Sequence, residues 1–200
     1  MNILNIQSQI YDLTSFMQTE VYASLNEATK AALVRKKVEL CGQYFLEIAS
    51  HLNRNKYRGC YAPHKAVMIM AVMELVKLGH ITSNVVNLDK DLKGKFKDIW
   101  QIVVPSGSPF KCDYRNPFTY MDSEPFWDLS NDKDKAFISW EALYAFSHEE
   151  SRLLIKDYLI CSIHEDTISE DYRNSHSDIH WMVAEDMIAL APVLGILLAV

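Results

Sequence analysis

Basic side chains are concentrated in the middle of the chain, and their chemistry suits the binding of a phosphate. The polar segment 53–59 holds two arginines and a lysine beside a tyrosine, and a Pro-His-Lys sequence follows shortly after it. Guanidinium and ammonium groups donate charge-assisted hydrogen bonds to phosphate oxygens, and arginine can donate two in parallel. The predicted phosphate-contacting residues are Arg54, Lys56, Arg58, His64, Lys65, Lys111 and Arg115. A solvated loop that binds nothing is the alternative that these residues leave open.

A long apolar stretch follows the basic segment and has to position it. Pro63 suits the first turn of a helix because an N–H in that turn has no intrahelical partner to lose, and Gly79 suits a left-handed cap at the other end. Most residues of 67–78 are apolar, on nearly every face, which is typical of a buried helix too short to cross a bilayer. His64 and Lys65 then lie in the first turn, where free N–H groups favour an anion. We expect Lys65 to be largely exposed there.

Helical patterns surround this central stretch. Residues 1–29 show apolar residues at near-helical spacing, which predicts an amphipathic helix that packs on the body or on a second copy. Asn26 is predicted to cap a second helix that runs to Leu52, and Asp89 a third that runs to Trp100. The third helix carries a row of lysines on one face, namely Lys90, Lys93 and Lys97. Such a row is a solvated face unless it lies beside the basic segment.

Short strands and a last helix are predicted further along. Aromatic and turn-forming residues suggest strands at 116–121 and 125–129, with a third strand and a turn within 136–146. Ser147 and Glu150 have the spacing of a capping box, which predicts a helix that begins there. The predicted fold class is therefore α+β and mostly α. It has a central buried helix, four or five surrounding helices and a small antiparallel hairpin.

The charges are distributed unevenly along the chain. The net charge is −6, yet residues 30–115 carry 15 Lys and Arg against 7 Asp and Glu, a balance of +8. Residues 117–200 carry 5 against 16, and residues 1–29 carry none against 3. Because association with a polyanion depends on a local patch and its field, this asymmetry favours a nucleic-acid partner despite the negative total.

The cysteines give an expectation about location. The sequence has four of them, with no Cys-x-x-Cys pair and no regular framework. Reduced thiols are typical of intracellular proteins, and the first residues hold neither the basic charge nor the apolar run of a targeting segment. We therefore expect a cytoplasmic protein.

Five motifs in the middle of the chain, in this order and spacing, resemble a known family. They are Ala62-Pro63-His64-Lys65 opening an apolar helix that ends Leu78-Gly79-His80-Ile81, then Leu92-x3-Phe96-x3-Trp100, Asn116-Pro117-Phe118-x2-Met121, Pro125-Phe126-Trp127-x-Leu129, and a helix over 147–160. Together they are similar to the sulfur-binding domain of McrA-type, phosphorothioate-dependent HNH restriction endonucleases. The resemblance covers about residues 35–162.

The resemblance implies a compact, mostly helical unit that binds double-stranded DNA in restriction or phage defence. In the family, the Pro-His-(Arg/Lys) helix tip and the segment around a Tyr-Pro-Phe sequence face the DNA backbone, and an apolar cavity beside that proline receives the sulfur. His64 and Lys65 would then contact phosphate. The corresponding sulfur-cavity candidates are Asn116, Pro117, Phe118 and Tyr120.

Two of those positions depart from the family pattern. Asn116 stands in place of the tyrosine before the proline, and Tyr120 stands where a small residue would leave room. An apolar pocket penalises the better-hydrated oxygen of an ordinary phosphate, whereas a polar or filled pocket does not. We therefore expect a preference for phosphorothioate DNA of about tenfold or less.

The nuclease half of such enzymes is not recognisable in the sequence. An HNH unit needs a general-base His, an Asn and a metal-ligand His, and the nearest approach is His176 with His180, which could share a helix face. No cysteine or second histidine pair completes that site, and no nucleophile pattern or phosphate-cradling glycine loop is found. We expect no metal, no cofactor and no catalytic activity of this chain itself.

Three functional alternatives follow from these observations. The first is a stand-alone DNA-binding module, the second a protein–protein or dimerisation module on the same scaffold, and the third a non-catalytic subunit of an HNH-type nuclease. The expected divisions are an amphipathic extension at 1–29, the sulfur-binding-like domain at 30–162 and an acidic extension with an apolar helix at 163–200. The apolar run at the end is too short for a membrane span, so packing or homodimerisation is its expected role.

Overall fold

The computed structural model describes residues 3–167, with side chains up to residue 164. Within these residues the chain forms eight α-helices, one short 3₁₀ helix and five strands. The helices are α1 (Ile3–Phe16), α2 (Glu20–Ser24), α3 (Glu27–Ser50), α4 (His64–Lys77), α5 (Lys90–Val103), α6 (Arg115–Tyr120), the 3₁₀ helix (Met121–Ser123), α7 (Trp140–Ser147) and α8 (Glu149–Thr167). The strands are β1 (Lys56–Tyr57), β2 (Cys60–Tyr61), β3 (Val85–Asn87), β4 (Trp127–Leu129) and β5 (Lys135–Ile138). The mostly helical α+β class is confirmed.

The central helix is α4, as the sequence predicted. It packs against α5, α6, α7 and α8, and nearly every side chain from Lys65 to Leu75 is buried. Gly79 has a φ of +74°, and the N–H groups of Gly79 and His80 donate to the carbonyls of Val76 and Leu75. This pair of bonds is the Schellman motif that an apolar helix followed by glycine leads one to expect.

Helix α3 forms the second support of the core. The Phe45 ring lies 4.8 Å, between centroids, from both Phe126 and Phe146, which ties α3 to the segment before β4 and to α7. Ile6 and Ile10 of α1 are buried in the same core against α3. Because α3 begins at Glu27, the division expected between residues 29 and 30 falls inside a helix, and α1 shares the core of the domain.

The strands form two small antiparallel sheets. β1 and β2 make a hairpin in which Tyr57 pairs with Cys60, and β5 lies between β3 and β4 in a three-stranded sheet. Strand β1 and the turn fall within the polar segment 53–59, which the sequence suggested was a loop, and β2 follows directly after it. Arg58 and Gly59 connect its strands, both with positive φ, as a type I′ turn requires.

Two sequence predictions about secondary structure are wrong. The segment at 116–121 is helical rather than extended, because the Asp113 carboxylate accepts the N–H groups of Arg115 and Asn116 and so starts α6. Ser147 ends α7 instead of capping α8, and its hydroxyl donates to the Leu143 carbonyl. Helix α7 itself was not predicted, although Ser139 caps it through the Ala142 N–H.

No helix among the described residues is long and apolar enough to cross a membrane. The predicted apolar helix at the end of the chain and the pair His176 and His180 lie outside the described residues.

Candidate nucleic-acid interface

An open cleft of about 700 Å³ lies between the hairpin side of the molecule and α6. Its walls come from the strand-flanking residues 53–55 and Ala62, from the start of α4, from Phe110, and from α6 with the 3₁₀ helix. Several of the predicted site residues line it, namely Arg54, His64, Lys65, Asn116, Pro117 and Tyr120. The tertiary structure thus brings three of the seven predicted phosphate contacts and three of the four sulfur-cavity candidates to one cleft, whereas Lys56, Arg58, Lys111, Arg115 and Phe118 are not among its lining residues.

Lys65 is buried, which corrects the expectation that it would be exposed. Only 7% of the residue is accessible, and its ammonium forms an ion pair with Glu124, itself 6% accessible. The ammonium also donates to the Ser123 hydroxyl at 3.1 Å, while the Glu124 carboxylate accepts the Asn53 N–H at 3.2 Å. Lys65 is covered by Ser123, the last residue of the 3₁₀ helix, and by Glu124, which follows it. Lys65 therefore connects three walls of the cleft, and its charge is balanced within the protein.

His64 is engaged with the protein as well. Its Nε2–H donates to the Lys111 carbonyl at 2.8 Å, and its ring lies 4.7 Å from Trp100 and 5.8 Å from Phe110. Desolvation lowers the pKa of His64, against the opposing effects of the Lys111 hydrogen bond and the Asp113 carboxylate. The neutral imidazole is therefore favoured. His64 positions the segment that carries Lys111 rather than offering a cation to a phosphate.

The cations of the hairpin side lie against tyrosine rings. Arg54 and Lys56 lie 5.4 Å and 5.2 Å from the Tyr61 centroid, and Arg58 lies 5.2 Å from that of Tyr57. Arg54 also donates to the Ser162 hydroxyl at 3.3 Å, which holds it near α8. The sequence from residue 48 to residue 73 contains no Asp or Glu. Cation–π contacts hold these side chains without cancelling their charge.

A second group of cations surrounds Tyr114 at the start of α6. Arg115 donates to the Tyr114 hydroxyl at 3.3 Å, and Lys93 lies 5.4 Å from the centre of its ring. The hydrogen bond from Arg115 is the largest of the effects that lower the pKa of Tyr114. Arg115 is next in sequence to Asn116, which lines the cleft. Of the lysine row on α5, Lys93 is the residue that contacts Tyr114 at the start of α6.

The α6 wall is more polar than a sulfur cavity would require. Phe118 is fully buried and packs on Trp127 at 5.2 Å, so it is not a lining residue, contrary to the sequence prediction. Asn116 donates its side-chain amide to Asp113, and Tyr120 is 62% accessible. Pro117 does line the cleft, as expected. Its polar neighbours there are Thr119, Asp122 and Ser123.

Sequence reasoning missed the aromatic residues of the site. Tyr57 and Tyr61 hold the hairpin cations, Tyr114 holds Arg115, and Phe110 with Trp100 encloses His64. A usable signal was present, because Tyr57 stands between two cations and Tyr114 directly precedes one. A tyrosine in such a position can hold a cationic side chain on its ring.

No protein-family model matches the chain, and no curated protein matches it significantly. Among the described residues no cluster of three or more His, Cys, Asp or Glu side chains could hold a metal ion. The features that bear on function are therefore those of the cleft. Arg54 lines this polar cleft, Arg115 is next in sequence to its lining residue Asn116, and both cations lie against tyrosine rings. The chemistry of this arrangement suits a phosphate group.

Proposed function

We propose that this chain binds double-stranded DNA across the cleft, with backbone phosphates held by the cations on its two sides. The observation that carries the proposal is the set of hairpin cations supported by aromatic rings in a stretch free of carboxylates. Arg115 and Lys93 add positive charge on the α6 side. Asp122 is the only carboxylate among the described residues that line the cleft, and its oxygen accepts the Leu129 N–H.

The resemblance to sulfur-binding domains supplies the biological setting of this proposal. We place the chain in the cytoplasm, in restriction or phage defence, and we assign any DNA cleavage to a partner nuclease. The polar α6 wall argues for an ordinary phosphate as the ligand. A phosphorothioate binds more tightly than an ordinary phosphate only where the surroundings are apolar, because the better-hydrated oxygen then loses more on leaving water. We therefore retain the expectation that the preference for phosphorothioate DNA is about tenfold or less.

A titration of duplex DNA at two or more salt concentrations tests the proposal. Contacts with roughly four or five phosphates give a slope of log K against log salt of about −4, because each contact releases counterions. The Arg115→Ala variant should lower the magnitude of that slope by about one unit. Lys36→Ala is the control, since Lys36 lies in α3 paired with Glu39 and belongs to neither of the two tyrosine-supported cation groups.

Two results would overturn the proposal. The first is an absence of duplex binding at low salt. The second is salt-insensitive self-association as the only activity of the chain, which would favour the protein–protein module. Competition between otherwise identical plain and phosphorothioate duplexes measures the sulfur preference separately. A preference of a hundredfold or more would restore the specialised sulfur-reading role.

A further inference from the structure

We propose that the β1–β2 hairpin enters the major groove of DNA and that Arg58 at its tip contacts a guanine. This inference rests on the proposed DNA-binding function and assigns base selectivity to one residue of that site.

Arg58 occupies a position that favours other residues. Its φ is +52° and that of Gly59 is +80°, so both residues of the turn are left-handed. Glycine, asparagine and aspartate are the usual residues there, because a side chain in this conformation crowds the backbone. Folding of the hairpin would be served as well or better by asparagine. Lys133 shares this conformation but stands between Asp132 and Asp134, whereas Arg58 lies in the stretch 48–73, which contains no Asp or Glu. A strained, exposed cation without acidic neighbours in the sequence points to a ligand rather than to stability.

The hairpin is fixed at its base and cationic at its tip. The Ala62 N–H donates to the Asn55 carbonyl at 2.8 Å beyond the last strand pair, and the Tyr57 ring meets Phe110 of the cleft wall at 6.4 Å. Strand β2 also packs on α8. Arg58 is exposed, and no carboxylate among residues 3–164 forms an ion pair with it. Within the described part of the chain its guanidinium is therefore not neutralised, and it can donate hydrogen bonds to a ligand.

The dimensions and chemistry of the major groove match this element. The groove admits a two-stranded β-ribbon, and arginine pairs with the O6 and N7 acceptors of guanine through two parallel hydrogen bonds. Arg54 and Lys56 lie at the base of the same hairpin. When Arg58 is in the groove, these two cations are placed to contact the phosphates at the groove edge. The hairpin then reads one base pair, while the cleft and the second cation group hold the backbone.

Selection from a randomised duplex pool tests the assignment, with Arg58→Asn and Arg58→Lys compared with the wild type. Lys133→Asn is the matched control. Lys133 is also a left-handed cation (φ +59°) in a hairpin connection, between β4 and β5, and it does not line the cleft. Both Asn variants lose one positive charge and relieve the same kind of backbone crowding.

We expect the wild type to favour guanine at one position by about tenfold or more, as a bidentate arginine contact provides. Arg58→Asn should lose that preference, because asparagine pairs with adenine. Arg58→Lys should weaken it, because lysine can reach the same acceptors but lacks the planar fork. Lys133→Asn should keep it. The inference is overturned if the wild type binds DNA without base preference, or if Arg58→Asn retains the preference. It is also overturned if Arg58→Asn weakens all sequences equally and lowers the salt slope by about one, which marks a phosphate contact. Failure of the wild type to bind any duplex would instead overturn the proposed function itself.

Discussion

Lys65 illustrates, at the scale of one residue, how burial changes the role of a charge. A lysine in the first turn of a helix next to a basic segment has every sequence attribute of a phosphate ligand. In the folded protein its ammonium faces Glu124, and both side chains are almost inaccessible to water. Both charges lose their hydration when they are buried, so such an ion pair adds little net stability to the fold. Removal of one partner is nevertheless costly, because the other charge then remains buried without compensation.

Lys65→Ala should therefore destabilise the fold by about 3–5 kcal/mol, because the Glu124 carboxylate would remain buried without its partner. The double variant Lys65→Met with Glu124→Gln should recover most of that loss, since it removes both charges and keeps an acceptor for the Asn53 N–H. Urea unfolding of the wild type, the single variant and the double variant measures these differences. A Lys65→Ala protein as stable as the wild type would show that the pair is not structurally important. Any loss of DNA binding in this variant should follow unfolding.

At the scale of elements, glycines in two helices have opposite surroundings. A β-carbon on Gly42 of α3 would lie 3.1 Å from the Ser151 hydroxyl of α8, a group that donates to the Val38 carbonyl at 3.1 Å. A β-carbon on Gly94 of α5 would meet no atom within 4 Å. Because Gly42 has no side chain, α8 can approach α3 closely. No neighbouring element approaches Gly94 in the same way.

Gly94→Ala should raise the free energy of unfolding by about 0.5–1 kcal/mol, the usual advantage of alanine over glycine inside a helix. Gly42→Ala should lower it, because the added methyl group displaces Ser151 and its buried hydrogen bond. Thermal unfolding of the two variants side by side is the measurement, with each acting as the control for the other. Equal stabilisation by both would mean that α3 and α8 are not closely packed at this point.

At the scale of the whole molecule, the charges of opposite sign lie in different parts of the chain. The cations of the cleft and hairpin come from residues 30–115, while five acidic residues and one arginine lie in 168–200, beyond the described part. Charges on the same molecule act on an approaching polyanion over about a Debye length, which is near 10 Å at 0.1 M salt. The acidic segment should therefore oppose the binding of DNA.

Neutralising that segment in the full chain tests this effect. Its acids are Glu170, Asp171, Asp178, Glu185 and Asp186, replaced by the corresponding amides. We expect DNA affinity to rise a few-fold at low salt and the difference to disappear at high salt, where screening removes the repulsion. Parallel titrations at both salt concentrations measure it. Equal affinities at low salt would show that the acidic segment does not influence the interface.

Local signals in the sequence were sufficient for several elements. Asn26 and Asp89 begin α3 and α5 as caps, because their side chains accept N–H groups three residues or fewer ahead. The same kind of reasoning failed at α6, where Pro117 and the aromatic residues around it resembled a strand. The decisive interaction there is the hydrogen bond from the Arg115 N–H to the Asp113 carboxylate, and Asp113 lies before the predicted strand at 116–121.

Residue types and their spacing were enough to predict the buried central helix, its Gly79 cap and the excess of cations between residues 30 and 115. These properties depend on residue type and short-range spacing, so they are readable without a fold. The tertiary structure established that Lys65 pairs with Glu124, that Phe118 turns into the core, and that Pro117 lines the same cleft as Arg54. Each of these depends on groups far apart in the chain. Their separation is fixed by how the helices pack, and a local pattern carries no information about that packing.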